Sequence, residues 1–499
     1  MSDKNDDLGR HIGTLWKTAM SGWGTMREVV TRSTQTGRLR IDIALLARER
    51  SQLLEALGEM VVGLVDEGAW EDPPESVRQA WERIKDVEGQ LKSDRIKASD
   101  NAFGAPRGFE PEAASDYGNY DLANRPFDRQ EIRYIVIHTT EGAWDGVVSH
   151  FQNPTASAAA HYLVGSTNGR VAKFVAPSHV AWHAGNWYFN MHSIGIEHEA
   201  VAIEGKKWFT DAMYENSAKL VRHLAKSYGV PIDREHIIGH DEIPGVTAAK
   251  QGGMHWDPGP YWDWDRYMQL LLAPLPSEKD SGKDGDALVL RPGYDTNLQK
   301  GSYCYGSMPS DCKDVPEASA NFVYLRTAPD LAAPLIENPY LKGVPGDRMN
   351  NWGDKLGTGP LYVRAEQKGD WDAIYFGGQK AWFLNPGRSL TRKAATMMVT
   401  PKSGLSTAPV YGVAYPQDAA YLPPTKPAVM EKIYDVPSGH RYALAARATG
   451  DYYWAKEFVS AYDPSKQIVV KDGTEYYQIH YNHRVAWVRA ADFELVTAP

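Results

Sequence analysis

Three side chains able to grip a cation stand at the ends of short, stiff segments. His138 closes the apolar run Tyr134-Ile135-Val136-Ile137, His240 follows Ile237-Ile238-Gly239, and Asp257 sits in the turn His255-Trp256-Asp257-Pro258-Gly259-Pro260. Two imidazoles and one carboxylate leave the fourth position of a tetrahedral Zn²⁺ open, which is what a hydrolytic zinc site needs. A single histidine at a strand end is more often structural, and an aspartate before Pro-Gly is usually a turn residue. The three gain weight together, because all fall in one domain-sized stretch and each is held on a rigid support. Competing motifs fail. His198-Glu199-Ala200-Val201-Ala202 begins like a His-Glu-x-x-His zinc helix, but its fifth residue is alanine. There is no Cys-x-x-Cys pair, phosphate-cradling glycine loop or Gly-x-Ser-x-Gly elbow.

The segments that must position these groups alternate in character. Arg133–His138, Ser193–Ala200 and His236–Gly239 read as strands, and Gly165-Ser166-Thr167-Asn168-Gly169 as a hairpin turn. Thr210 caps a predicted helix carrying Met213, Ser217, Leu220, Val221 and Leu224, which stops at Gly229 before Pro231. Such alternation predicts a central α/β domain over 131–275, a mixed sheet flanked by helices. Along Ser193–Ala200 the period of two turns Ile194 and Ile196 to the core and puts Glu197 and Glu199 on the other face.

Around this domain the chain is multidomain. Residues 1–98 carry Leu46, Leu53, Leu57, Met60 and Leu64, then, past Glu71-Asp72-Pro73-Pro74, Val77, Trp81, Ile84 and Leu91. These stripes predict an α-helical hairpin or coiled coil suited to self-association or docking. Residues 99–130 and 276–317 read as linkers. The remainder is β-rich and repeats itself: Trp371–Phe383 lies on Tyr476–Val488 without a gap, aromatic, Ile and Ala-Trp positions coinciding. The repeat predicts two small β-barrel modules, at 318–390 and 401–499.

The chain has 499 residues, 42% hydrophobic and 23% charged, and a net charge of −9, which argues against a nucleic-acid partner. Its 16 Trp and 27 Tyr suit flat polar ligands such as sugars, as well as small β cores. No run is apolar enough for a membrane span, and the polar start Met1-Ser2-Asp3-Lys4-Asn5-Asp6-Asp7 is unlike a classical signal peptide. Cys304 and Cys312 fit either a small disulfide loop or two free thiols.

Six motifs in order carry a resemblance. They are Ile137-His138-Thr139-Thr140, Ala160-His161-Tyr162-Leu163-Val164, Ala181-Trp182-His183-Ala184-Gly185-Asn186, Ser193-Ile194-Gly195-Ile196-Glu197, Gly239-His240-Asp241-Glu242-Ile243-Pro244-Gly245 and Asp257-Pro258-Gly259-Pro260. Residues 131–272 resemble the zinc-dependent N-acetylmuramoyl-L-alanine amidases of type 2, which share a fold with peptidoglycan recognition proteins. The resemblance implies one Zn²⁺ on His138, His240 and Asp257, and cleavage of the bond between N-acetylmuramic acid and L-alanine by a zinc-activated water. It places Glu197 as the acidic residue that moves the proton, with Glu199 as the rival on the same face. His255 falls where many relatives carry Lys or Thr to polarise the carbonyl, and Ala160 where some carry a tyrosine. Substrate contacts are implied at His161, Trp182, His183 and Asn186. The C-terminal repeats resemble bacterial SH3-like modules, which implies a tether to peptidoglycan. The site of action would then be the cell wall, reached without a classical signal peptide. Two alternatives stay open: a peptidoglycan-binding receptor that does not cut, and a cytoplasmic amidase recycling anhydro-muropeptides.

Overall fold

The computed structural model describes residues 119–497, apart from 127–129, 154–155, 306–308, 342–344, 424, 456–464 and 466. The helical hairpin expected over 1–98 lies outside the described residues.

The first half is built on β1 (Tyr120–Asp121), β2 (Tyr134–Thr139), α1 (Trp144–Phe151), β3 (Tyr162–Val164), β4 (Val171–Lys173), β5 (Val180–Ala181), α2 (Trp187–His192), β6 (Ser193–His198), α3 (Asp211–Tyr228), β7 (Ile237–Gly239) and α4 (Trp264–Leu270). Its sheet runs β4-β3-β6-β2-β7, parallel except for the edge strand β4. The central strands are buried on both faces and so read as continuous apolar runs. Ile135, Ile137, Ile194 and Ile196 pack on Met213, Val221 and Leu224 of α3 and on Trp264, Tyr267 and Met268 of α4. Helix α3 starts where Thr210 accepts a hydrogen bond from the Met213 amide and ends at Gly229, whose φ of 72° suits a residue without Cβ.

The second half is strand-rich. It comprises β8 (Ala287–Leu290), β9 (Leu298–Cys304), β10 (Cys312–Ser319), β11 (Phe322–Tyr324), β12 (Lys355–Gly357), β13 (Leu361–Lys368), β14 (Trp371–Phe376), β15 (Gln379–Leu384) and β16 (Thr391–Lys393), followed by β17 (Met398–Pro401), β18 (Thr407–Tyr411), β19 (Lys432–Pro437), β20 (Tyr442–Ala443), β21 (Ala446–Ala455), β22 (Gln467–His480), β23 (Val485–Arg489) and β24 (Phe493–Val496). Two five-stranded sheets run β15-β14-β13-β8-β16 and β19-β18-β23-β22-β21. The internal repeat is visible in the register. Ile374 faces Ala381 and Trp371 faces Leu384 in one hairpin; Ile479 faces Ala486 and Tyr476 faces Arg489 in the other.

Neither expected linker is one where it is described. Within 99–130, Tyr120 and Asp121 pair with β5, and Arg125 is fully buried. Within 276–317, β8 lies inside a sheet and Asp280 is buried against Arg364. Polar composition concealed these contacts because the partners lie far along the chain. Cys304 and Cys312 face each other across β9 and β10 and form a disulfide.

The halves are not joined as a catalytic unit and a loose tether. Tyr134, Val136 and Ile238 of the first sheet, with Tyr188 and Phe189 of α2, share one apolar core with Tyr411, Val413, Tyr453, Tyr476 and Trp487. The Tyr134 hydroxyl donates to Gln478 Oε1 at 2.7 Å, and the Gln478 amide donates to the Glu235 carbonyl at 3.0 Å. Among the described residues no helix is long and apolar enough to cross a membrane.

Candidate metal centre

His138 sits one residue from the end of β2, and Glu197 is its direct neighbour on the parallel strand β6. His240 begins the turn after β7, on the other side of β2. Asp257 is brought in by a loop whose backbone carbonyl at that residue accepts from the Asp241 amide at 2.7 Å. The three meet. His138 Nδ1 and His240 Nδ1 are 3.0 Å apart, His138 Nδ1 is 3.6 Å from Asp257 Oδ2, and His240 Nδ1 is 3.2 Å from Asp257 Oδ1.

Donor atoms 2.0–2.1 Å from a tetrahedral Zn²⁺ stand about 3.3 Å from one another. The observed separations of 3.0, 3.2 and 3.6 Å, with Asp257 presenting a different oxygen to each histidine, lie around that value, and all three residues are buried. Two imidazole nitrogens facing each other beside a carboxylate form a set that a cation satisfies. Asp257 is held well below the usual carboxylate range. Burial alone would raise it, but His240, His255 and His138 outweigh burial.

The orientation of His138 is fixed from behind. Its Nε2 lies 2.9 Å from His183 Nδ1, and His183 Nε2 lies 3.0 Å from Ser193 Oγ, which donates to the Phe189 carbonyl at 2.5 Å. With the last hydroxyl committed to a carbonyl, the hydrogen bonds run one way only. His183 Nε2–H donates to Ser193, His138 Nε2–H donates to His183, and His138 Nδ1 is left with a free lone pair facing His240 and Asp257.

Glu197 is half-buried, with Oε2 enclosed and without a hydrogen-bond partner. Burial, Asp257 and Glu141 push its carboxyl well up. Glu199, the rival, is committed elsewhere: Oε1 accepts from the Trp144 amide at 3.0 Å and Oε2 from the Ser166 amide at 2.9 Å. His255 stands at the mouth, 69% exposed, its Nδ1 3.5 Å from Asp257 Oδ1 and its ring 4.5 Å from that of His240. The hydrogen bond to Asp257 raises its pKa.

Of the four expected substrate contacts, His161, His183 and Asn186 are buried and Trp182 is half-buried. His161 is fully buried; its Nδ1 accepts from the Gly195 amide at 3.0 Å and its Nε2 lies 3.0 Å from Arg125 Nη2. Asn186 is buried too. It caps α2 through the Tyr188 amide and donates to the carbonyls of Pro244 and Gly412. His183 is buried behind His138. Trp182 is half-buried and donates to Asp121 Oδ2 at 3.3 Å. The motif containing these residues shapes the floor beneath the metal centre. Glu141 was not singled out by sequence. It follows His138 in the loop Thr139-Thr140-Glu141-Gly142, has φ 48°, and its carboxylate accepts from Thr139 Oγ1 and the Ala202 amide. A carboxylate three residues after a ligand-bearing strand end was the available signal.

A mixed α/β sheet with two histidines at its strand ends and an aspartate brought in by a loop is an arrangement able to hold a metal ion. The sequence model of the N-acetylmuramoyl-L-alanine amidase family matches residues 128–260. N-acetylmuramoyl-L-alanine amidase A of Achromobacter lyticus is 34% identical over 152 residues, which are 28% of this chain and 81% of that protein. The chain belongs to the N-acetylmuramoyl-L-alanine amidase family. The 1,6-anhydro-N-acetylmuramyl-L-alanine amidase AmpD of Haemophilus influenzae is 35% identical over 118 residues, 22% of this chain and 58% of that protein. Among solved structures, the Staphylococcus aureus hydrolase AmiA in complex with its ligand matches at 19% identity and a TM-score of 0.26, covering 34% of this chain and 81% of that one.

Proposed function

We propose that this chain is a peptidoglycan amidase that hydrolyses the bond between N-acetylmuramic acid and L-alanine, with one Zn²⁺ held by His138, His240 and Asp257. The observation that carries this reading is the buried triangle of donor atoms, of the size a tetrahedral ion needs, on a chain that belongs to the amidase family. When bound, Zn²⁺ polarises a carbonyl and lowers the pKa of water from 15.7 to about 7.

The chain's own residues do the rest. Glu197, beside His138 and enclosed by other carboxylates, takes a proton from the attacking water and returns it to the departing amine. His255, at the mouth, donates to the carbonyl oxygen as charge builds there. His183 and Ser193 hold His138 in the tautomer that offers Nδ1.

The two strand-rich parts that carry the repeat are read as SH3-like modules that contact the wall polymer. The matching hairpin registers support the repeat itself. The amidase reading is tested by digesting purified peptidoglycan and identifying the released ends by mass. New muramic-acid and L-alanine ends that vanish with a chelator and return with Zn²⁺ are expected. Release of sugar-reducing ends or internal peptide ends alone would refute it.

A further inference from the structure

The hairpin β9–β10 lies outside the residues matched by the amidase family, yet it reaches the metal centre's mouth. Tyr303 packs on Trp256, the residue before Asp257, with ring centres 5.5 Å apart. Tyr305 stands edge-on to Tyr303 at 5.1 Å and is 62% exposed. Trp256, Tyr303 and Tyr305 thus form a run of rings in contact, and Trp256 is next in sequence to the exposed His255.

The run is held stiffly. Cys304, disulfide-bonded to Cys312 on the partner strand, lies between the two tyrosines in sequence. The Ser302 amide donates to the Asp347 carbonyl at 3.0 Å, and the Met349 amide to the Ser302 carbonyl at 2.9 Å. Trp352 Nε1 donates to the Trp256 carbonyl at 3.2 Å. Burial and the Glu141 carboxylate both push the Tyr303 phenol up. Neither phenol hydrogen-bonds to another described residue.

The geometry points to a saccharide subsite on Tyr303, Tyr305 and Trp256 that holds a neighbouring N-acetylhexosamine of the glycan strand whose muramoyl bond is cut. A pyranose ring offers an apolar face of C–H groups and a polar rim. Rings with hydroxyls at their edges match both, and pre-ordered side chains lose little entropy on binding. The identity of the polymer rests on the amidase reading above.

The test uses the full chain, wild type and the Tyr303→Ala, Tyr305→Ala and Tyr303→Phe variants, each checked for zinc content. The tetramer of N-acetylglucosamine is titrated by intrinsic fluorescence. Turnover is measured on polymeric peptidoglycan and on N-acetylmuramoyl-L-alanyl-D-isoglutamine, which has a single sugar. Each alanine variant is expected to weaken tetramer binding about tenfold, which is 1.4 kcal/mol. The ratio of kcat/KM on polymer to that on the single-sugar substrate should fall by a similar factor, with Tyr303→Phe, which keeps the ring but loses the hydroxyl, falling between wild type and Tyr303→Ala. Unchanged tetramer binding in both alanine variants, or equal losses on the two substrates, would overturn the subsite. If Tyr303→Ala loses its zinc, the exposed Tyr305 and the phenylalanine variant decide. If the wild type cuts neither substrate, the amidase reading fails, while the tetramer titration still judges the subsite.

Discussion

At the level of single residues, the three candidate ligands could be picked out because strand ends and a Pro-Gly turn are visible in sequence, and the fold brings them together. The roles of His161, His183 and Asn186 were not. A motif shows that a residue type matters, but which side of the sheet it faces depends on partners elsewhere. His183 illustrates this. An ideal Cβ on Gly195 would come within 2.5 Å of its ring, so the glycine in Ser-Ile-Gly-Ile-Glu makes room for the imidazole that orients His138. Removing such an outer hydrogen-bond partner typically costs 10–100-fold in metal affinity. His183→Ala should therefore lose zinc to a competing chelator at about 10–100-fold lower chelator strength; unaltered retention would remove its orienting role. Glu197→Ala should keep its zinc while kcat falls by about 10²–10⁴-fold, the usual contribution of a general base. Loss of zinc together with activity would make Glu197 a structural group.

Elements outside the family-matched region brace the metal-binding loops. Asn321 Nδ2 donates to the carbonyls of Gly259 at 3.1 Å and Trp262 at 2.9 Å, and its amide donates to the Pro260 carbonyl. His483 Nε2 lies 3.1 Å from Asp241 Oδ2 while its ring stacks on Trp352 at 3.9 Å. Leaving buried carbonyls unpaired costs about 1–3 kcal/mol. Asn321→Ala should thus lower Tm and loosen zinc retention, although Asn321 touches no ligand; an unchanged zinc affinity would show that the Asp257 loop holds itself. In the sheet beyond, Arg364 is fully buried between Asp280 and Asp372, and Thr391 Oγ1 donates to Asp280 Oδ2 at 2.7 Å. Burial would raise the Asp280 pKa, but these partners outweigh it and lower it below 3.8. Its contribution is therefore complete above about pH 4 and disappears as pH falls through the lowered native value. Asp280→Asn should destabilise by about 3–5 kcal/mol at pH 7, as breaking a buried ion pair does. The deficit relative to wild type should shrink in strong acid, as followed by denaturant titration. No local pattern could have revealed this pair: 84 positions separate the partners.

For the molecule as a whole, the sequence marked out the central α/β domain and the β-rich region but not how they join. The alternation of strands and helices and the β-rich repeat were legible from periodicity. The docking between them was not, because residues such as Tyr134 and Trp487 look like ordinary core of their own sheets. They pack in one core instead. Deleting 291–499 uncovers the apolar face of the first sheet on the side that carries Val136 and Ile238. The truncated chain should aggregate or melt well below the full chain, judged by light scattering and thermal unfolding. A monomeric fragment with full amidase turnover would show that the first half stands alone.

This shared interior also constrains how such a chain can diversify. A foreign second half would arrive with the wrong tyrosines and tryptophans for its seat, so a hybrid gene would need matched changes on both faces at once. Inheritance of the two halves as a single block follows from the packing alone.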